Sequence, residues 1–513
     1  MKIQHKNLRV IVQAGGMGTR LRYHTWNKPK CLVSLSGKPL LYHLFDTLEK
    51  SKFFIIGDYH YEQLEKYLNI YPPKISYELV RAKKKGTIAG IKSIIKDMPN
   101  NEPCLVIWSD LLIDKLPEFT TTNNPTVGTT NEFICRWRVL QNGHLEESYG
   151  SSKGVAGLFY FPKSEMLNDI PDEGEFVKWF ANYFTEFETI DCPNIKELGD
   201  FSTIEELNDA QGFCRSFNKI TMNQYTVTKT LQDKSYSSFL QNEIQWYKQA
   251  SEIGFNRIPK VIRTNPLQLE RINGHHLYQM TQLTQREKSA ILVNHLEALI
   301  SLHEKIQSFA NLNDIKQVYI EKTIQRVQSI SNLIPEFNEK KLIINGIKCA
   351  NIFANNARDH LTNIINKLKF PDFCSIHGDP TFSNTLVDRY FRVWFIDPRG
   401  YFAKTGIMGD PLYDFAKVYY SAIGGYDLFN RKKFKLYINS NKVEILMGHP
   451  LLYDFAKPIF KEYFPKQLFE IKILHALIWL SFSGHVKDDV DSIIGAFYLG
   501  LYWLEDAIRD QEK

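Results

Sequence analysis

Two stretches of this chain gather residue types that handle phosphate. Near the N-terminus, Ala14-Gly15-Gly16-Met17-Gly18-Thr19-Arg20 follows the apolar run LRVIVQ. Glycines placed directly after a buried strand let backbone N–H groups approach a polyphosphate without Cβ interference. Arg20, then Lys28 and Lys30, add fixed positive charge where a triphosphate and its pentavalent transition state need it. Glycines serve any tight strand-to-helix turn, so it is the neighbouring charge that argues for phosphate. Far along the chain, Ile376-His377-Gly378-Asp379-Pro380-Thr381-Phe382-Ser383-Asn384 sets a His two residues before an Asp and an Asn five residues after it. The apolar run VWFIDPRG then delivers Asp397. That is the H-x-D-x-x-x-x-N spacing, in which one carboxylate (Asp379) orients a substrate hydroxyl while an amide (Asn384) and a second carboxylate (Asp397) hold Mg²⁺ on the transferring phosphate.

Residues of this kind work only when elements hold them in place. From Leu8 to about Ala210, short apolar runs (LRVIVQA, FFIIGD, CLVIWSD) alternate with helical patterns (LLYHLFDTLEK, YEQLEKYL, IAGIKSIIKDM). This is the rhythm of an α/β, Rossmann-like fold, a mostly parallel sheet with helices on both faces. FICRWRVLQNGHLEES, with its Asn-Gly turn, predicts a hairpin, and GVAGLFYFP predicts an added edge strand. After TIEELNDA the rhythm changes: strand-like pieces surround one helix, and from Thr281 onward long amphipathic helices dominate. The expected domains are 1–212 and 213–513, the second a two-lobed α+β unit with a small lobe over about 213–275 and a helical lobe over 276–513. No repeat, low-complexity tract or Pro/Ser-rich linker interrupts them.

Composition fits. A 513-residue chain with 43% hydrophobic and 23% charged residues has room for two or three cores. The net charge of +6 is small and dispersed, which gives nucleic-acid binding no support but suits anionic small substrates. Seven scattered cysteines without a CxxC pair argue against a disulfide framework or structural zinc and favour a reducing cytoplasm. No signal peptide is expected, and the apolar late segments 471–484 and 492–504 are too short for a membrane span, so no membrane insertion is expected.

The first stretch has company. AGGMGTRL, then KPK and LSGKPLLYHLFDTL, resembles the signature of the sugar-phosphate nucleotidyltransferase family over about the first 210 residues. The resemblance implies that Ala14, Gly15, Gly16, Gly18 and Thr19 bind an NTP and that Gly86 and Thr87 of Lys85-Gly86-Thr87 contact base and ribose. It further implies that Arg20 and Lys30 are catalytic, and that Asp110 (VIWSD) and Asp200 (ELGDFSTIEELNDA) hold Mg²⁺. A phosphate monoester would then attack the α-phosphorus and expel pyrophosphate. The chain departs from the family pattern at Tyr23-His24-Thr25 and at Ser109 before Asp110.

Residues 215 to 513 resemble the aminoglycoside phosphotransferase and choline kinase superfamily. Besides the catalytic loop, Gly409-Asp410-Pro411-Leu412-Tyr413-Asp414-Phe415-Ala416 matches its helix-opening motif. The resemblance implies that Lys229 holds ATP phosphates with Glu243 as its helix partner, and that Glu270 lies at the hinge that meets adenine. No G-x-G-x-x-G precedes Lys229, so Ser216, Asn218 or backbone amides must cover the phosphates. Gly378 stands where regulated protein kinases carry an arginine, which speaks against protein substrates.

A kinase makes the phosphate monoester that a nucleotidyltransferase consumes. The sequence therefore predicts a bifunctional enzyme in which ATP phosphorylates a small alcohol, amino alcohol or sugar and the product couples to an NTP. CTP is favoured over UTP or GTP, and by analogy the product serves capsule or surface-polysaccharide decoration. Alternatives are two activities on unrelated substrates, or one site reduced to a nucleotide-binding regulatory module. A quaternary-amine substrate would call for an aromatic cage, for which Trp479, Tyr498, Tyr502 and Trp503 are the candidates, although aromatics at helical spacing also build cores. Oligomerisation is left open.

Overall fold

The computed structural model describes residues 8–99, 101–119, 123–150, 153–211, 218–280 and 282–512. Two compact units divide the chain: Met1–Ala210 with Lys487–Asp491, and Gln211–Val486 with Ser492–Lys513. Residues 212–217, into which the expected boundary falls and which include Ser216, lie outside the described residues, as does Thr281.

In the first unit the runs LRVIVQA, FFIIGD and CLVIWSD become strands buried on both faces, as β-branched and aromatic side chains favour, beside an edge strand with no buried residue. β1 (Arg9–Gln13), β2 (Lys52–Gly57), β3 (Ser76–Arg81) and β4 (Cys104–Trp108) are parallel, in the spatial order β4-β1-β2-β3. Helices α1 (Leu40–Thr47), α2 (Tyr61–Ile70) and α3 (Ile91–Lys96) connect them. Ile91, Ile94 and Ile95 of α3 pack with Ile11 and Phe54 in the main core. The chain winds outward from β1 to β3 and then returns to the other side of β1, so a crevice opens at the carboxyl ends of β1 and β4. Open α/β sheets bind ligands at such a switch point.

The sheet continues with β5 (Leu111–Ile113) set apart and β6 (Thr126–Thr130), β7 (Cys135–Val139), β8 (Leu145–Gly150), β9 (Gly154–Phe161) and β10 (Glu188–Asp191) added on the β4 side. β7 and β8 form the hairpin expected from Asn142-Gly143. β9 is not an edge: it pairs antiparallel with β4 and β6, and all eight of its residues are buried. Its unbroken apolar run, without polar alternation, is the pattern of an interior strand. Helix α4 (Phe176–Tyr183) precedes β10; β11 (Ile195–Glu197) then pairs with β5, setting Glu197 opposite Leu111, and the closing helix α5 (Phe201–Gln211) follows.

The second unit begins with an antiparallel sheet of β12 (Asn218–Met222), β13 (Thr226–Leu231), β14 (Val261–Thr264) and β15 (Leu267–Glu270), in the order β12-β13-β15-β14. α6 (Ser237–Glu252) joins β13 to β14 and buries Glu243, Trp246 and Tyr247. Helices follow, chiefly α7 (Gln285–His303), α8 (Lys322–Ser329), α9 (Pro411–Ala422), α10 (Leu468–Ser483) and α11 (Val490–Gln511), the last belonging to this unit from Ser492 onward. Between them lie the short strands β16 (Phe373–Ser375), β17 (Thr385–Asp388) and β18 (Val393–Phe395). A further four-stranded sheet, Lys341–Ile344 with Ile347–Ala350 and Phe434–Asn439 with Lys442–Met447, was not expected among the helices. Its first hairpin turns on Asn345-Gly346, both with positive φ, the pair that a two-residue hairpin requires. No helix among the described residues is long and apolar enough to cross a membrane.

Candidate active sites

At the mouth of the first crevice two cations meet two acids. Lys30 Nζ lies 2.6 Å from Asp110 Oδ2, and Arg20 Nη2 donates to Glu197 Oε1 at 2.7 Å. Asp110, just past β4, is 1% exposed, and its Oδ1 has no hydrogen-bond partner. Burial, and then the neighbouring Asp110 carboxylate, push Glu197 above the ordinary carboxylate range, so the two pairs sense one another. Gly199 makes the close approach possible, since a Cβ there would stand 2.6 Å from Arg20 Nη2 and 2.8 Å from Glu197 Oε1. Gly18 adopts φ +63° and lets the glycine loop fold against the stem of Lys30.

Asp200, expected as the second acid, caps α5. It accepts hydrogen bonds from Ser202 Oγ at 2.6 Å, Thr203 N at 3.0 Å and Thr203 Oγ1 at 2.6 Å. Partial burial opposes its ionisation, but the bonds from Ser202 and Thr203 prevail and hold it down at about 2. Glu197, three residues earlier, was missed in the sequence; the signal was a Glu ending a short strand inside the same motif. Lys28, whose charge was expected at the phosphates, is buried and paired with Asp489 at 2.8 Å and with Asp491, in the segment that belongs to this unit.

The other expected nucleotide contacts divide. Ala14 gives its amide to Ile56 O at 2.9 Å and is closed to a ligand through that group. Gly15, Gly16 and Thr19 complete the loop between β1 and the helical turn Thr19–Thr25. Gly86, at φ +95°, packs so that a Cβ would lie 2.2 Å from Gly174 O. Thr87 Oγ1 accepts from Phe176 N at 2.8 Å, and Thr87 O accepts from Gln13 Nε2 at 2.8 Å, which leaves Gln13 Oε1 buried and without a partner. No group of three or more His, Cys, Asp or Glu suited to a metal occurs among the described residues. Asp110 and Glu197, with the free Oδ1, fit a Mg²⁺ that takes one or two carboxylates and completes its shell from phosphates and water.

The second unit encloses a cavity of about 160 Å³ that Lys229, Glu243, Asp379 and Asp397 help to line. Lys229 Nζ bonds Glu243 Oε2 at 2.7 Å and Asp397 Oδ1 at 2.6 Å. Burial pushes Glu243 up to about 7 against the pull of Lys229. Asp397 is held at φ +54°, a strained conformation for a non-glycine residue, with its amide on Tyr247 Oη. Asn384 Nδ2 donates to Asp379 O and Oδ2, both at 2.9 Å, and Lys417 Nζ lies 2.8 Å from Asp379 Oδ1. Asp414, at 0% exposure, accepts from the amides of His377 and Gly378 and so fixes the loop. Lys417 is a residue the sequence reading missed.

Asn218 lines this cavity with a buried, unpartnered Oδ1, whereas Glu270 does not line it. Glu270 ends β15 with its amide on Lys260 O at 2.9 Å. Trp479 and Tyr498 are core residues at 0% exposure, with Trp479 Nε1 bonded to His475 and Tyr498 Oη to Pro335 O, so they form no cage.

Residues 10–115 match the family described as MobA-like NTP transferase domain. The catalytic subunit beta of mannose-1-phosphate guanylyltransferase from Drosophila melanogaster is 32% identical over 183 residues, 31% of this chain and 49% of that protein. The bifunctional protein GlmU of Methanococcus maripaludis strain C5 is 33% identical over 163 residues, 31% of this chain and 36% of that protein. The chain thus spans about half or less of the length of these relatives. Among solved structures, HddC from Yersinia pseudotuberculosis in complex with GMP-PN aligns with 20% identity and a TM-score of 0.33, covering 38% of this chain and 97% of that one.

Proposed function

We propose that the first unit transfers a nucleotidyl group from an NTP to a phosphate monoester, and that the second phosphorylates a small alcohol with ATP to supply that monoester. A phosphate oxygen attacks the α-phosphorus, the bond to the β-phosphoryl group breaks, and pyrophosphate leaves. The attacking group is already anionic, so the residues need only align it and neutralise charge. Asp110 and Glu197 would hold Mg²⁺, which when bound supplies charge neutralisation on the polyphosphate. Lys30 and Arg20 then turn from their carboxylates to the phosphates.

At the second site Asp379 orients the acceptor hydroxyl and takes its proton, with Asn384 and Lys417 fixing its carboxylate. Lys229, aligned by Glu243, meets the ATP phosphates; Asp397 and Asn384 would hold the metal there. The reading rests most on the two cation–acid pairs, Lys30–Asp110 and Arg20–Glu197, set together at the switch-point crevice. The curated relatives include guanylyltransferases, so GTP stands beside CTP and UTP as the donor.

Pyrophosphate release from each of the four NTPs, measured with sugar 1-phosphates and phosphocholine, tests the first half. Glu197→Gln is expected to lower the rate by about 100-fold or more, the scale of losing a group aimed at transition-state charge, while Asp200→Asn retains most activity. Equal loss in both variants would return the acid's role to Asp200, and no release with any pair would end the reading.

A further inference from the structure

The cavity of the second unit carries more positive charge than phosphoryl transfer from ATP requires. Its lining includes five cations, Lys229, Lys322, Arg326, Arg399 and Lys417, against three acids, Glu243, Asp379 and Asp397. Lys229 is neutralised by Glu243 and Asp397, and Lys417 by Asp379. Lys322 and Arg326 have no ion-pair partner among the described residues, whereas Arg399 has no carboxylate within ion-pair distance and its charge, opposed by burial, is favoured by the Tyr413 and Tyr401 phenols and by Asp379.

These three are gathered on one side. Lys322 and Arg326 stand one turn apart on α8 and so share a face. Tyr413 collects the cations: Lys322 Nζ lies 5.7 Å, Arg399 Cζ 5.6 Å and Lys417 Nζ 5.8 Å from its ring centre, and Arg399 Nη1 donates to its hydroxyl at 2.7 Å. Arg399 also stacks 4.1 Å over Tyr401, and Arg326 Nη1 is aimed by Ser481 Oγ at 3.0 Å. Crowding like charges in a half-enclosed space is costly unless a ligand compensates them. The strain registers at Lys322, whose ammonium is driven well below its ordinary pKa by burial first and then by Arg399, Arg326 and Lys417. Lys229, which meets the ATP phosphates in the reading above, is paired with Asp397, and Asp379 is paired with Lys417.

We infer that the acceptor alcohol of this site carries an anionic group, a carboxylate or a phosphate, that Lys322, Arg326 and Arg399 bind while its hydroxyl faces Asp379. The inference rests on the phosphotransferase reading above and narrows it. The hydroxyl oxygen bonds to the γ-phosphorus, the γ-phosphorus to bridging-oxygen bond breaks, ADP leaves, and the hydroxyl proton passes to Asp379. A cationic amino alcohol is disfavoured by the same three charges, and the aromatics here serve as platforms for the protein's own cations.

The test compares hydroxyl compounds that differ in charge, with the full chain, ATP and Mg²⁺: D-gluconate and glycerol 3-phosphate against sorbitol, glycerol and choline, read as ADP release and as shift in melting temperature. The anionic compounds should accelerate ADP release and raise the melting temperature. Lys322→Met should raise their KM about tenfold or more while the KM for ATP holds. Choline or a neutral alcohol serving as well as the anions overturns the inference. So does an unchanged acceptor KM in Lys322→Met, a rise in the ATP KM instead, or the absence of any effect of the anions on either readout. If the anions raise the melting temperature of the parent protein but not of Lys322→Met, yet no alcohol draws ADP release, the anion site stands and the kinase reading falls.

Discussion

Gly199 carries an unusual burden for a residue without a side chain. The Arg20–Glu197 pair passes so close to it that a methyl group would fall 2.6 Å from Arg20 Nη2 and 2.8 Å from Glu197 Oε1. The atoms in the way end flexible side chains, so a Gly199→Ala protein should fold; the guanidinium and carboxylate would shift instead. We expect its melting temperature to stay near that of the parent and pyrophosphate release to fall about tenfold or more, since displacing an aligned group by even an ångström costs on that scale. ADP release at the second site should be untouched. Full nucleotidyl transfer in Gly199→Ala would show that the pair is structural. Gln13 belongs to the same scale: its unpartnered Oε1 sits where β1 opens into the crevice, and nothing in its residue type announced that.

At the level of elements, α5 shows what the sequence could and could not reveal. The helix itself was legible in TIEELNDA, but an Asp just before it reads equally as a metal ligand and as a cap; the bonds from Ser202 and Thr203 show that it caps the helix. Asp200→Ala should therefore cost about 1 kcal/mol as a lost N-cap, visible as a few degrees in the melting of the first unit. The pH dependence has a definite sign. Folding lowers the Asp200 pKa from 3.8 to about 2, so its contribution is complete above about pH 4 and disappears as pH falls through 2. The gap between parent and variant should close over that interval; a gap constant down to pH 2 would refute the cap. Apolar runs also revealed β1, β2 and β4, since buried parallel strands are apolar, but not β3, which has no buried residue. They failed for β9, where position in the sheet is set by long-range pairing, and for the sheet at 341–447, whose two hairpins lie far apart in the chain. The loop His377–Asn384 was legible because its groups are close in sequence, whereas Lys417 and the Lys322–Arg326 face reach the same cavity from distant helices.

For the whole molecule the question is whether two sites in two units work as one sequence of reactions. Each unit holds its own charged set, and no residue named in one set belongs to the other, so single substitutions should separate the activities. Asp379→Asn removes the carboxylate proposed to take the hydroxyl proton but preserves its volume and its acceptor oxygen. With ATP, an NTP and the free alcohol it should make no activated product, and supplying the corresponding phosphate monoester should restore product formation to the parent rate. Lys30→Met should do the converse: the alcohol is phosphorylated, the monoester accumulates, and added monoester rescues nothing. The reciprocal pattern is more informative than either variant alone, because a general folding defect lowers both activities together. Should Asp379→Asn fail to recover on added monoester while Lys30→Met phosphorylates normally, the two units act on unrelated substrates, and the order from phosphorylation to nucleotidyl transfer has to be abandoned.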